Sequence, residues 1–485
     1  MRPTEAAGTA AATHGRTGRT RPGRARVRAQ AFRLAAAFLC GCAAVRPLPA
    51  QSLRVPHETF TLPNGLKVIL HEDHSVPIVT VNTWYHAGSG DERAGRTGFA
   101  HLFEHIMFMG SQHVPTGDFD RLLEAAGANN NGSTTEDRTN YYEDGPAGAL
   151  ELMLWLDSDR MGFLLPEITP EKVDIQRGVV QNERRESYEN QPYGLAEENI
   201  INRLFPAGHP YSWPVIGSMT DLTAATIEDV RDFFRRYYAP NNATMVIAGD
   251  INRQQARQWV ERYFGDIPRG PEIQRNTVEP FRLERNVLHT LEDRVQLPRV
   301  YDAWHSVRAF HDDDAALDVL ASILAGGRSS RLYRRLVYDL QIATQVTAYN
   351  ESGRLDGKFV IFATARPDHD LPELQRVIDE EVRRLAAEGP TARELQRVKN
   401  QTEAQFLGAM ERVGGFGGKA DRLNSYDYFV GRPDYFEQDL DRYRRVSAAD
   451  VQRVARQYLT EANRVVLSVV PTGRQNLAVT EGATP

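Results

Sequence analysis

The chain contains almost no cysteine. Among its 485 residues, Cys40 and Cys42 are the only two cysteines, and both lie within the first 50 residues. Removal of that segment would leave a chain without a disulfide or a thiolate site. The composition, 41% hydrophobic and 25% charged, is typical of a globular protein of two or more domains and not of a disordered or fibrous one.

Long apolar runs are also absent. The run "LAAAFLCGCAAV", Leu34 to Val45, is shorter than the roughly 20 residues that a membrane span needs, and no later run approaches that length. The sequence therefore predicts no transmembrane segment in the mature chain. The first 50 residues contain nine arginines and one acidic residue, and small residues follow the apolar run. This order predicts an export signal over residues 1–50 and a periplasmic location, with a lipid anchor at Cys42 or a mitochondrial transit peptide as alternatives.

Beyond this segment, acidic residues outnumber basic ones. The whole chain has a formal net charge of −6, and loss of an export segment of charge +8 leaves −14. Proteins that bind nucleic acid usually present a basic surface. The sequence therefore predicts no nucleic-acid partner.

The mature chain contains an internal repeat. The stretch "DVRDFFRRYYAPNNATMVIAGD", from Asp229, aligns without a gap with "DVQRVARQYLTEANRVVLSVVP", from Asp450, at an offset of 221 residues. Both copies have the pattern of an amphipathic helix followed by a buried strand. A repeat this long predicts two duplicated domains. We place the first domain at residues 51–268, a linker rich in Gly and Pro at 269–284, the second domain at 285–475 and a flexible tail at 476–485.

Three polar residues interrupt an apolar stretch of the first domain. In "RTGFAHLFEHIMFMGS", His101, Glu104 and His105 stand among Phe, Leu, Ile and Met. The stretch lacks the alternation of a strand, so we predict a helix. Residues four apart share a helical face, so the two imidazoles would point at one spot with Glu104 beside them. This is the inverted zinc motif H-x-x-E-H, and a pair of surface histidines on an amphipathic helix is the alternative.

A catalytic zinc usually has three protein ligands, so a third ligand must come from elsewhere in the chain. The next predicted helix carries Glu183 on one stripe with Gln176, Val179 and Val180. A carboxylate on an apolar stripe either pairs with a cation or binds a metal. We therefore choose Glu183 as the third ligand of a candidate metal site.

The motifs, taken in order, resemble a known family. "HLFEH" is followed by "NNNGSTTEDRTNYYEDGP", "QRGVVQNERRESYENQPYG" and "HPYSWPVIGSMTDL", and the second half adds "GGRSSRLYRRL" and "GFGGKADRLNSY". The set resembles the pitrilysin or insulinase-like zinc metallopeptidases, closest to their smaller bacterial and mitochondrial-processing-peptidase-like branch. The resemblance covers nearly the whole mature chain.

This resemblance implies an α+β fold of two homologous α/β-sandwich domains, each a mixed or antiparallel sheet covered by helices, facing each other across a cleft. It implies one Zn²⁺ per chain, held by His101, His105 and Glu183, with Glu104 as the catalytic base. It also implies that a peptide adds as a strand at "NGSTTEDRTNYYEDGP", with Asn131 near the scissile bond. An ordinary hairpin is the alternative for that residue.

Two features depart from the family pattern. Gln176 stands where the family commonly has a second Glu, so an uncharged amide would support the metal site from outside. Val337 and Thr344 stand where the family often has an Arg and a Tyr that approach the substrate. The helix "LDVLASILAGG" of the second domain contains no histidine, so that domain has no metal motif. We expect a peptide substrate and a homologous partner chain that supplies the Arg/Tyr pair, with a homodimer as the alternative.

Two functions remain open. The first is a zinc-dependent endopeptidase of short or unfolded peptides, acting as the zinc-bearing subunit of a two-chain assembly. The second is a non-catalytic scaffold or assembly subunit of the same fold. The intact set of His101, Glu104, His105 and Glu183 favours the enzyme, because an unused cluster of buried polar groups is costly and would be eroded by drift.

Overall fold

The computed structural model describes residues 53–480. The predicted export signal, which includes Cys40 and Cys42, lies outside the described residues. Within residues 53–480, no helix combines the length and the apolar composition needed to cross a membrane.

The first half of the described chain alternates between strands and helices. Its strands are β1 (Glu58–Thr61), β2 (Lys67–Glu72), β3 (Ile78–Tyr85), β4 (Asn129–Thr134), β5 (Thr139–Pro146) and β6 (Ala243–Gly249). Its helices are α1 (Phe99–Ile106), α2 (Asp118–Ala125), α3 (Leu150–Phe163), α4 (Pro170–Arg184), α5 (Ala196–Leu204), α6 (Met219–Ala224), α7 (Ile227–Tyr237) and α8 (Arg253–Phe264). A π-helical turn, Arg185–Glu189, continues α4.

The second half repeats this alternation. Its strands are β7 (Val287–Asp293), β8 (Arg299–His305), β9 (Ala343–Ser352), β10 (Gly357–Ala365) and β11 (Val465–Pro471). Its helices are α9 (Asp314–Ala325), α10 (Leu371–Glu388), α11 (Ala392–Ala409), α12 (Lys419–Val430), α13 (Phe436–Arg445) and α14 (Ala448–Tyr458). A π-helical turn, Tyr333–Asp339, precedes β9. Residues 265–286 between the halves contain no helix or strand, and the predicted linker 269–284 falls inside this range.

Each half contains one mixed sheet, and the two sheets have the same strand order apart from the additional edge strand β1 of the first sheet. The first sheet runs β1-β2-β6-β3-β5-β4 and the second runs β7-β11-β8-β10-β9. The only parallel pairs among these strands are β2–β6 and β7–β11, which occupy equivalent places. The repeat found in the sequence corresponds to α7 followed by β6 and to α14 followed by β11. The α+β fold with two duplicated halves is therefore confirmed.

The central strands are buried on both faces. Along β6, Met245 and Ile247 pack into the core formed by the helices of the first half, whereas Val246 and Ala248 face the other way. Every residue of β6 is buried, which explains its continuous apolar sequence. Each sheet therefore needs a second apolar layer.

Each half supplies one helix to the sheet of the other half. Helix α12 packs Ala420, Leu423 and Tyr426 against the outer face of the first sheet. Helix α5 packs Ile200 and Ile201, together with the end of the helix, against the outer face of the second sheet. Neither sheet is covered on both faces by its own half alone.

Polar contacts fix the position of α12 on the first sheet. Asn424 Nδ2 donates to both Asn82 O and Asn82 Oδ1, each at 2.9 Å. Trp84 Nε1 donates to Asp421 Oδ1 at 2.9 Å. A buried polar group that loses its partner costs about 1–3 kcal/mol, so these bonds oppose any sliding of the helix.

Two of the last described residues are packed where the sequence predicts a flexible tail. Ala478 and Val479 are each only 5% exposed and belong to the core of the second half. The Val479 N–H donates to Ser468 Oγ on β11 at 3.0 Å. Ala478 and Val479 are therefore held by apolar packing and a backbone hydrogen bond within the segment predicted to be a flexible tail from residue 476.

We expect Leu423→Ala to destabilise the protein by about 2–5 kcal/mol, because a fully buried leucine between α12 and the first sheet would leave a cavity. The midpoint of urea unfolding measures this effect. Leu407→Ala is the matched control, since Leu407 on α11 is 43% exposed and its loss should cost no more than about 0.5 kcal/mol. Equal shifts for the two variants would contradict the proposed role of α12.

Candidate metal centre

Helix α1 separates its apolar residues from its polar ones. Leu102, Phe103 and Ile106 are at most 1% exposed and face the core of the first half. His101, Glu104 and His105 lie on the remaining surface of the helix, where they are only partly buried. The helix predicted over "HLFEH" is confirmed by the structure, and it ends at Ile106.

The start of α1 is held by a carboxylate from the preceding loop. Glu92 Oε2 accepts a hydrogen bond from the Gly98 N–H at 2.9 Å, and Oε1 accepts one from the Ala100 N–H at 2.7 Å. Gly98 has φ +87°, and a Cβ there would lie 2.7 Å from Ile216 O, so a glycine is required. Sequence reasoning missed Glu92. The available signal was that α1 begins after Gly98, without the Ser, Thr, Asp or Asn that usually caps a helix, so its first N–H groups need another acceptor.

Helix α4 places Glu183 against the two histidines. The helix begins with Thr169 as N-cap, whose side chain accepts from the Lys172 N–H, and with Pro170 in its first turn. Of the predicted stripe on this helix, Val180 is buried but Val179 is 42% exposed. The stripe is therefore only partly buried.

The three predicted ligands lie together. One ligand atom each from His101, His105 and Glu183 can be chosen so that all lie within 4.8 Å of one another. Glu183 Oε2 lies 3.7 Å from His101 Nε2 and 3.3 Å from His105 Nε2. In the part of the chain that the structure describes, this is the one group of three or more His, Cys, Asp or Glu side chains close enough to hold an ion.

The protonation states of this group suit a cation. Burial lowers the pKa of His101 to about 4, against the opposing effect of Glu183, so its imidazole is neutral at pH 7. The hydrogen bond with His105 lowers the pKa of Glu183, with a smaller contribution from His101. Two imidazole nitrogens and one carboxylate oxygen form a donor set that zinc accepts in catalytic sites.

Glu104 is held by the edge strand of the sheet. Thr134 Oγ1, on β4, donates a hydrogen bond to Glu104 Oε2 at 2.6 Å. A Cβ at Gly132 would lie 3.2 Å from Glu104 Cγ, so the strand passes directly beside the carboxylate. Burial raises the pKa of Glu104, and the Thr134 bond opposes that shift. Sequence reasoning missed Thr134, although the alternation of the strand puts Gly132 and Thr134 on one face.

Asn131 lies on the opposite face of this strand. Its Oδ1 accepts from the Gly132 N–H at 2.8 Å, and Asn131 pairs across the sheet with Tyr142 on β5. The structure therefore does not bring the Asn131 side chain to the group formed by the histidines. Strand β4 is the last strand of its sheet, as expected for a strand that can pair with a peptide.

The Gln176 amide does not bond to the metal group. Its Nε2 donates to Met109 Sδ at 2.7 Å, and none of its hydrogen bonds reaches the two histidines or Glu183. Met109 follows α1, so Gln176 lies near the C-terminal end of that helix. Within the described chain, His101 Nδ1 is buried without a hydrogen-bond partner. The sequence predicts that Gln176 supports the metal site, whereas its hydrogen bond in the structure goes to Met109.

The two positions of the second half where the family has an Arg and a Tyr carry Val337 and Thr344. Val337 packs against the core of the second half. Thr344 lies on β9, and its Oγ1 donates to Thr364 O at 3.3 Å. Neither side chain offers a donor to a substrate.

Comparisons with known proteins identify the family of this chain. Residues 67–211 match the family model described as Insulinase (Peptidase family M16), and residues 224–402 match the model described as Peptidase M16 inactive domain. The chain is 30% identical over 429 residues to the zinc protease PqqE of Helicobacter pylori, covering 87% of this chain and 94% of that protein. It is 24% identical over 427 residues to the probable mitochondrial-processing peptidase subunit beta of Arabidopsis thaliana, covering 85% and 78%.

A solved structure shows the same fold. The crystal structure of a protease from Helicobacter pylori superimposes with a TM-score of 0.79 at 26% identity, covering 86% of this chain and all of that chain. The family resemblance inferred from the motifs is confirmed.

We expect Gln176→Glu to tighten zinc binding, by up to about tenfold, through the electrostatic attraction between the cation and the negative charge added on the helix face that carries Glu183. Competition with a chromogenic chelator measures the change. Gln181→Glu is the matched control, since the Gln181 side chain donates to Thr223 and lies away from the histidines. Unchanged or weaker binding in the first variant would refute the expectation.

Proposed function

The chain belongs to peptidase family M16, and we propose that it is a zinc-dependent endopeptidase of short or unfolded peptides. The single observation that carries this proposal is the group of His101, His105 and Glu183, whose ligand atoms lie within 4.8 Å, with the Glu104 carboxylate beside them. We propose that one zinc ion per chain is held by these three residues. When bound, zinc lowers the pKa of its water to about 7 and polarises a carbonyl oxygen.

In this proposal Glu104 is the general base. It accepts a proton from the attacking water and later gives a proton to the leaving amine. Burial raises the pKa of Glu104 towards the working range of a general base, while the Thr134 hydrogen bond holds its Oε2 in place. The other carboxylate oxygen is left to take the proton.

The edge strand β4 supports a peptide substrate. An extended peptide can pair with the free edge of β4, which passes beside Glu104 at Gly132. Such pairing needs an extended backbone, so folded proteins are excluded and short or unfolded peptides are favoured. In this arrangement the Asn131 side chain contacts the peptide on the face of β4 opposite to Glu104.

We expect Glu104→Gln to abolish peptide cleavage and to leave zinc bound, since Glu104 is the base and not a ligand. Glu183→Gln should lose zinc as well as activity. Metal analysis of the purified variants, combined with a peptide-library digest with and without chelator, measures both properties. Glu171→Gln is the matched control, because Glu171 is exposed in the first turn of the same helix. Loss of metal from the Glu104 variant, with retention in the Glu183 variant, would reverse the assigned roles.

The same experiment separates the enzyme from a scaffold subunit. A scaffold has no need of a carboxylate base beside a metal group, so its wild-type chain would cleave nothing in the library even when zinc is bound. The intact group of four residues favours the enzyme.

We propose that a homologous chain completes the site. This chain has Val337 and Thr344 at these positions, and not an Arg and a Tyr. Val337 packs against the core, and the Thr344 hydroxyl is bonded to Thr364 O. A positioned donor for the developing oxyanion contributes a factor of about 10² to 10³ in rate. The isolated chain should therefore be a weak peptidase.

We expect the purified chain alone to fold, bind zinc and cleave peptides slowly, and a homologous chain without H-x-x-E-H to raise the rate by about 10² to 10³. Peptide cleavage before and after mixing, with size-exclusion chromatography alongside, measures the effect. Full activity from a monomer or homodimer that no partner changes would contradict this proposal, and it would indicate that another residue of this chain is the oxyanion donor.

A further inference from the structure

Tyr193 has a backbone conformation that aromatic residues rarely adopt. It lies between α4 and α5 with φ +64°. A bulky residue in this left-handed region is strained, and such a conformation persists only where the surroundings impose it. The contacts of Tyr193 must therefore impose this conformation.

Three contacts connect Tyr193 to the second half. Its hydroxyl donates to Leu297 O at 2.8 Å, and its N–H donates to Asp293 Oδ2 at 2.8 Å. The guanidinium carbon of Arg299 lies 3.7 Å from the centre of its ring, which is a cation–π contact. These residues lie on β7, on β8 and in the loop between them, so Tyr193 is anchored to the second sheet.

The segment from Glu183 to Tyr193 is short and internally bonded. The π-helical turn Arg185–Glu189 starts two residues after Glu183. The Asn190 N–H donates to Arg185 O at 2.7 Å, and a Cβ at Gly194 would lie only 2.1 Å from Tyr188 O. The residue next to Tyr193 is therefore in direct contact with the turn that ends the helix of Glu183.

The residue after Glu183 is fixed as well. Arg184 is buried, and its guanidinium donates to Gly217 O and to Glu198 Oε2, each at 2.8 Å. Glu198 belongs to α5, the helix that covers the second sheet. The C-terminal end of α4 is thus tied to elements that depend on the second half for their own position.

We infer that Tyr193 is a positioning residue for the metal centre. By anchoring the π-helical turn to β7 and β8, it holds the Glu183 carboxylate against His101 and His105. The second half, which contains no metal motif of its own, therefore contributes to metal affinity through Tyr193. This inference rests on the proposed zinc site.

The test measures zinc affinity of the full chain by chelator competition. Tyr193→Gly removes all side-chain contacts and suits the backbone conformation, since glycine accepts positive φ. We expect it to weaken zinc binding about tenfold or more, as loss of outer support does in other sites. Tyr193→Phe loses only the bond to Leu297 O and should weaken binding less.

Asp368→Gly is the matched control. Asp368 also has positive φ, +69°, and it lies exposed in the turn before α10. We expect this variant to bind zinc like the wild type. A residue with a purely structural role would change the melting temperature and leave the zinc affinity of the folded protein unaltered.

Gly194→Ala provides a second route to the same contact. Its Cβ would displace Tyr188 O, so it should weaken zinc binding while Tyr193 keeps its anchor. Wild-type affinity in both Tyr193→Phe and Tyr193→Gly, or in Gly194→Ala if the glycine variant does not fold, would overturn the inference. Absence of zinc binding by the wild type would instead refute the proposed function, and the inference with it.

Discussion

Each sheet of this protein has two apolar faces, and its own half covers only one of them. The alternating residues of β6 and of β11 enter two different cores, one built by helices of the same half and one by a helix of the other half. Burial of apolar area is the main favourable term in folding, so the exchange of α5 and α12 joins the halves into one cooperative structure. The helix that carries Glu183 is joined to α5 by the π-helical turn Arg185–Glu189 and residues 190–195. In the proposed arrangement, the contact that buries the second sheet therefore also helps to position Glu183.

The metal group itself shows how a costly arrangement is tolerated. Two imidazoles and a carboxylate are gathered beside an otherwise apolar helix, and burial keeps His101 in the neutral form that binds a metal. Such a group is unfavourable unless a cation compensates it. The geometry is therefore better explained by metal binding than by packing.

The sequence predicts local geometry well and contacts between distant segments poorly. The spacing of His101 and His105 is a property of one helix, and Glu183 follows from the pattern of another, so both were accessible from the sequence. The partner of Gln176 was not, because it depends on how α1 and α4 pack. The same holds for Thr134, for the packed residues Ala478 and Val479, and for the anchoring of Tyr193 by β7 and β8. Each of these needs the tertiary fold, and no spacing rule within one segment encodes it.

The second half also packs a helix beside its edge strand, but that helix has no metal motif. Helix α9 packs beside the edge strand β9, as α1 packs beside β4. Its acidic residues are satisfied by protein donors: Asn350 Nδ2 donates to Asp314 Oδ1 at 3.1 Å and to Asp318 Oδ1 at 3.2 Å, and Arg442 pairs with Asp314 at 2.7 Å. Burial raises the pKa of Asp318 to about 7, so this carboxyl is protonated in part of the molecules at neutral pH. In the second half an arginine and an asparagine satisfy the carboxylates of the helix that packs beside the edge strand, which fits a half without a metal motif.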